Sequence, residues 1–151
     1  MSDPRWLTDA QQRAWRSYLT MTAQLSAHLH RQLQAESGLS LADFEVLVQL
    51  TDRPDRRARI LELAAALQWE KSRLSHHLAR MERRGLVGRE ECPHDARGSF
   101  VVLTSRGLGA IEQAAPAHVA AVREMVFDQL SDAEVDALAD IAQRVVNRLN
   151  Q

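Results

Sequence analysis

The chain has 151 residues, 45% hydrophobic and 26% charged, with a formal net charge of −1 at pH 7. This is the composition of a globular domain large enough to bury a core; it excludes a disordered tail, and no apolar run nears the roughly eighteen residues of a membrane span. The N-terminal MSDPRW lacks the apolar core of a signal peptide, and a single cysteine, Cys92, excludes an internal disulfide framework, so a cytoplasmic location is expected.

Thr8 with Gln11 makes a capping-box signature, which predicts a long helix from there to about Glu36. Trp15, Leu19, Thr22, Leu25, Leu29 and Leu33 give that helix an apolar stripe at three-and-four spacing. Gly38 ends it. Ser40 caps a second helix whose buried side holds Leu41, Phe44, Leu47, Val48 and Leu50. The turn Asp52-Arg53-Pro54-Asp55 follows, since proline forbids continuation. Ile60 to Leu67 reads as a short helix, and 70–84 as another ended by Gly85. Residues 86–91 and 99–103 read as strands around the turn Pro93-His94-Asp95-Ala96. A helical pattern covers 105–130, with a kink expected at Pro116. Ser131 with Glu134 is a further capping box, opening a last helix with Val135, Leu138, Ala142, Val145 and Leu149 on one stripe.

Two short helices joined by a tight turn, followed by a strand pair, are the element order of a winged helix-turn-helix. That device puts one helix in the DNA major groove and a hairpin beside it. The expected fold is mainly α with a small β wing, in a single domain over 1–151. A winged helix-turn-helix DNA-binding lobe would occupy 40–104, with dimerisation helices at 8–36 and 105–150. Charge agrees with that division. Residues 53–106 carry twelve Arg and Lys against seven acids, a net +5, and the remainder of the chain is −6. Positive charge therefore collects where phosphate contacts are needed. The terminal apolar stripes exceed what a small monomer covers, and one short half-site binds weakly. A symmetric homodimer on double-stranded DNA answers both.

On helix 70–84, Leu74, His77, Leu78 and Met81 share the inward face, while Ser72, Arg73, His76, Ala79, Arg80 and Arg83 lie opposite. The N-terminal end of such a helix reaches base edges, so Lys71, Ser72, Arg73 and His76 lead the DNA-contact candidates, with Arg80 further along. Arg73 suits a bidentate pair with guanine, worth about 1–3 kcal/mol of discrimination. Lys71 suits a phosphate. Arg83 and Arg84, at the far end, read as partners of the helix dipole. His76 and His77 diverge by about 100°, as adjacent helical residues do, and His28 and His30 also diverge, so no metal site is expected. There is no Walker loop, HExxH or Gly-rich dinucleotide fingerprint; no cofactor and no enzyme are expected. The alternative is a winged-helix module that binds a protein, but the exposed cationic face favours DNA.

LELAAALQWEKSRLSHHLARMERRGLV, followed by DARGSFVVLTSRG, resembles the multiple antibiotic resistance regulator (MarR) family of bacterial transcription factors. The second piece fits that family's D-x-R wing followed by Leu-Thr-x-x-Gly. GLSLADFEVLVQL is similar to its second helix and LSDAEVDALADIAQRVVNRL to its C-terminal dimer helix, so the similarity covers about residues 10–149. The resemblance implies a homodimer on a palindromic operator, usually a repressor, released by a small, often aromatic effector bound between the dimer helices and the winged lobe. It implies that Arg97 is the wing arginine in or near the minor groove, and that Asp95 supports the wing. Trp15, Tyr18, Leu19, Thr22, Phe44 and Trp69 are the groups expected to line the effector cleft. The family's peroxide sensors carry a reactive cysteine near the N-terminus; this chain has none there, and Cys92 falls in the wing strand. Glu90 beside Glu91 also departs from the more basic wing strand common in the family.

Overall fold

The computed structural model describes residues 2–91 and 99–151. The expected wing turn at 93–96, with Cys92, His94, Asp95 and Arg97, lies outside the described residues. The first helix, α1 (Asp9–Ser37), opens on the expected capping box: Thr8 Oγ1 accepts from the Gln11 N–H at 3.1 Å, and Gln11 Oε1 accepts from the Thr8 N–H at 3.0 Å. Gly38, at φ 71, closes it. A second reciprocal pair, Ser40 and Asp43, starts α2 (Leu41–Thr51). Its inward side holds Phe44, Leu47 and Leu50 as expected, and also Val46, which the stripe did not include; Val48 and Leu41 pack at the margin of the core.

A three-residue strand, β1 (Arg57–Arg59), comes next, where no element was expected. Its RAR sequence carries too little apolar alternation to register as a strand. Pairing with a neighbour defines it instead, and Ala58, 2% exposed, is its one buried side chain. Then α3 (Ile60–Leu67) keeps the predicted bounds. It ends on Gln68 in a left-handed conformation (φ 57), whose N–H, with that of Trp69, satisfies the carbonyls of Ala65 and Ala64. After it, α4 (Lys71–Arg83) is closed by Gly85 at φ 78, with N–H bonds from Gly85 to Glu82 and from Leu86 to Met81.

The strands β2 (Val87–Glu91) and β3 (Ser99–Leu103) pair antiparallel, Val87 opposite Leu103 and Glu91 opposite Ser99. With β1 on the far side of β3 the sheet order is β1-β3-β2. The predicted helix over 105–130 is shorter in fact: α5 (Ser105–Met125) runs unbroken past Pro116 but stops at Met125. A 3-10 turn (Phe127–Gln129) replaces its last stretch, and the Ser131–Glu134 capping box starts α6 (Asp132–Leu149).

The junction between β3 and α5 gives Leu103, Thr104 and Gly107 a joint structural role. Thr104 caps α5 by accepting from the Gly107 N–H at 3.0 Å. Its hydroxyl lies 2.6 Å from the Gly85 carbonyl oxygen and 2.9 Å from that of Leu86, so its proton ties the end of α4 to the start of α5. Gly107 packs so close that an added Cβ would collide with the Leu86 carbonyl. The core gathers around Leu33, Leu47, Leu50, Leu63, Leu74, Leu78, Met81 and Val101, nearly all from the middle of the chain. In contrast, α6 buries no residue at all.

Candidate nucleic-acid interface

The polarity of α4 follows from its sequence. Leu74, His77, Leu78 and Met81 are buried, as their spacing requires, and pin the helix to α3 and the sheet. Lys71, Ser72, Arg73, His76, Arg80 and Arg83 are exposed, with Ala79 half-buried between them. The structure therefore brings the expected α4 candidates onto one open face. Arg97 and Asp95, the wing candidates, fall outside the described residues.

What holds this helix was not legible in the sequence. Asp43, at the start of α2, is almost fully buried with its side chain 4% exposed. One carboxylate oxygen accepts from Arg84 Nη1 at 2.7 Å and from the Ser40 N–H at 2.9 Å. The other lies 2.9 Å from His77 Nε2. His77 Nδ1 in turn faces Arg80 Nη2 at 3.3 Å. Arg84 also donates to the Gly38 carbonyl at 3.1 Å. The expectation that Arg84 serves the helix dipole is thus corrected: it is an ion-pair and hydrogen-bond clamp between α4 and the α1–α2 junction, 41 residues from its carboxylate in sequence. Burial alone would raise the Asp43 pKa. The contacts with His77, the Ser40 N–H and Arg84 outweigh it and hold the carboxyl far below its ordinary value of 3.8.

Several arginines of the lobe are already engaged within it. Arg53 pairs with Glu62, Arg57 with Glu90 and Arg89 with Glu82, at 3.2, 3.1 and 3.3 Å. Arg57 and Arg59 also lie over the Phe100 ring, opposite Glu90 near the turn end of the strand pair. These cations belong to the scaffold. Lys71, Arg73, Arg80 and Arg83 have no carboxylate within ion-pair reach among the described residues. Glu90, which departs from a more basic wing strand, accepts from Arg57. Arg73 is held in another way: its guanidinium carbon stands 4.0 Å above the Trp69 ring centroid.

The six residues expected to line an effector cleft fall in separate surroundings. Trp15 and Tyr18 stack at 5.7 Å on the open side of α1, where Leu19 is exposed as well; the hydroxyl of Thr22 donates back to the Leu19 carbonyl. Phe44 is buried against the ring of His118 on α5, 4.3 Å away. Trp69 meets His77 edge-on at 5.6 Å. An open apolar groove of about 1090 Å³ is lined instead by Met21, Leu25, His28, Phe127, Leu138 and Ile141, among others. None of the six borders it. Among the described residues no group of His, Cys, Asp and Glu has the arrangement of a metal site, and no helix is long and apolar enough to cross a membrane.

A winged scaffold that pairs Arg53, Arg57 and Arg89 with acids and leaves the cations of one helix open to solvent suits contact with DNA; the fold and this face define a winged helix-turn-helix DNA-binding protein. Comparison with known proteins narrows the class. A family model described as the MarR family matches residues 37–98. The HTH-type transcriptional repressor YetL of Bacillus subtilis is 31% identical over 121 residues, covering 78% of this chain and 72% of that protein. Among solved structures, Sco3205 of Streptomyces coelicolor, a MarR family regulator in complex with DNA, superposes with a TM-score of 0.94 at 42% identity, over 100% of this chain and 94% of that one. AbsC, another MarR family regulator of the same organism, gives 0.91 at 41% identity, over 97% and 99%. The chain belongs to the MarR family and is a DNA-binding transcriptional regulator.

Proposed function

We propose that the chain is a homodimeric repressor that reads a palindromic operator through α4 and the wing. One observation carries the reading: Lys71, Arg73, Arg80 and Arg83 stand on the exposed face of α4 with no carboxylate in ion-pair reach among the described residues, while Arg53, Arg57 and Arg89 behind it are ion-paired. Support comes from Sco3205, whose structure is a complex with DNA, and from YetL, a repressor. In this reading Arg73, with Ser72 and His76, meets base edges; Lys71 and Arg80 meet phosphates; Arg97 enters the minor groove with Asp95 supporting the wing. The winged lobe at 40–104 is the DNA-binding unit and the helices at 8–36 and 105–150 form the dimer.

The dimer is supported by what α1 and α6 leave uncovered. Trp15, Tyr18 and Leu19 on α1, and Leu138, Ile141, Val145 and Leu149 on α6, are 42–76% exposed in one chain. An 18-residue helix with no buried residue draws little tertiary support from its own chain, and most helical stability in proteins comes from packing an amphipathic face. A second copy lying on the α1–α6 groove would supply it. The proposal extends to release by a small aromatic effector. Among the residues named for its cleft, Phe44 has the best geometric support, because His118 against it carries a buried Nδ1 with no hydrogen-bond partner among the described residues.

The test is titration of the full chain on a duplex recovered from random DNA and on a scrambled control. Arg73→Ala should cost about 1–3 kcal/mol on the recovered duplex alone, whereas Lys71→Ala should weaken both duplexes and lower the salt slope by about one. Equal losses on both duplexes for both variants would sink the division between base and phosphate contacts.

A further inference from the structure

We propose that Trp69 is a positioning residue for base readout: it holds the Arg73 guanidinium ready for a purine edge and thereby helps set the preferred base pair. The proposal rests on the reading of Arg73 as a base contact. Trp69 is not a loose surface ring. Its backbone N–H is tied to the Ala64 carbonyl at 3.0 Å as part of the α3 cap, and its half-buried side chain packs on the core. Its ring meets His77 edge-on at 88°, and His77 stands against buried Asp43. A rigid line thus runs from the core carboxylate through His77 and Trp69 to the arginine on the open face, with Arg73 Cζ 4.0 Å from the ring centroid.

The chemistry of a stacked guanidinium makes this arrangement useful. Stacking engages the flat face of the group and leaves its rim of N–H donors free for a bidentate partner. Arg73 makes no ion pair or hydrogen bond among the described residues, so its donors are unspent. A free arginine side chain would lose rotamer freedom on binding; one already resting on a fixed platform has lost much of it on folding. Neither Lys71 nor His76 has such a ring contact among the described residues.

The experiment uses the full chain, a duplex recovered by selection from random DNA, and a scrambled duplex of the same composition. Four proteins are titrated on both: the unmodified chain, Trp69→Leu, Arg73→Ala and the double variant. Trp69→Leu should weaken the recovered duplex about two- to fivefold, the range of an exposed cation–π contact, and leave the scrambled one unchanged. The double variant should bind no worse than Arg73→Ala. Repeating the selection with Trp69→Leu should flatten the preference at the same base pair that Arg73→Ala flattens. If Trp69→Leu weakens both duplexes alike, or adds its full loss to that of Arg73→Ala, Trp69 only packs the fold and the proposal fails while the reading of Arg73 stands. If Arg73→Ala costs nothing on the recovered duplex, the reading itself fails and the proposal with it. Should Trp69→Leu lower the thermal midpoint enough to unfold the chain, Trp69→Phe decides: a smaller loss, equally dependent on Arg73, supports the proposal, and an unchanged binding and selection profile overturns it.

Discussion

The middle of the chain and its two ends treat apolar surface in opposite ways. Between α2 and the start of α5, leucines and valines close most of a core, completed by Leu33 of α1 and Ile111 and Ala114 of α5, and even the charge at its edge is internally matched, Asp43 against Arg84 and His77. At the ends, α6 buries nothing and the first half of α1 displays Trp15, Tyr18 and Leu19. A packed lobe beside unfinished helices separates two tasks. The lobe can hold a reading surface rigid, while in the proposed dimer the ends would meet a second copy and set how far apart two such surfaces stand.

That contrast can be broken at the ends first, where the largest effect is expected. Ile141→Asp with Val145→Asp puts two charges on the exposed apolar face of α6. The mass in solution should fall to that of one chain, 17.0 kDa, and binding to a two-fold duplex should drop by more than about a hundredfold as the second half-site is lost. A dimer of normal mass would show that α6 is not the interface.

The lobe can be broken at its carboxylate. Asp43→Ala leaves His77 and Arg84 without their buried partner, and should cost about 2–4 kcal/mol in denaturant unfolding. In the unmodified chain the depressed Asp43 pKa contributes stability above pH 3.8 that is lost as pH falls below it. Acid titration of the variant should show a shallower loss in that range; an identical acid limb would remove Asp43 from the account.

A smaller loss is expected at the α4–α5 seam. Gly107→Ala forces a methyl against the Leu86 carbonyl, and should destabilise by about 1–3 kcal/mol, with no change in mass. Circular-dichroism melts would reveal it, and an unshifted midpoint would show that the seam yields.

The mildest effect concerns His118. Burial lowers its pKa below 6.5, so the folded chain resists protonation where the unfolded chain accepts it. Stability should therefore decline as pH falls through 6.5. His118→Phe should flatten that part of the profile; a decline that persists in the variant must come from other groups.

The lobe was far more legible in the sequence than the contacts that orient it. Helix α3 and the strands β2 and β3 announce themselves by composition and by Gly85, because each depends on neighbours a few residues away. Strand β1 does not, since an Arg-Ala-Arg triplet becomes a strand only by pairing with β3. The Asp43–Arg84 pair is hidden for a related reason: nothing within one turn of either residue marks the other. The only trace was the Ser40–Asp43 spacing, which reads as a helix cap and is one, while the same carboxylate also carries the long-range contact. Trp69 was expected at a cleft because it is large and aromatic; its place over His77 and beneath Arg73 follows from a three-dimensional turn that composition does not encode.

The most direct test of the account is selection of bound sequences from random duplex DNA with the full chain. A lobe that reads and ends that pair should recover a two-fold palindrome with half-site centres about one helical turn, 10 base pairs, apart. Recovery of a single unpaired half-site, or of no sequence at all above random, would contradict it.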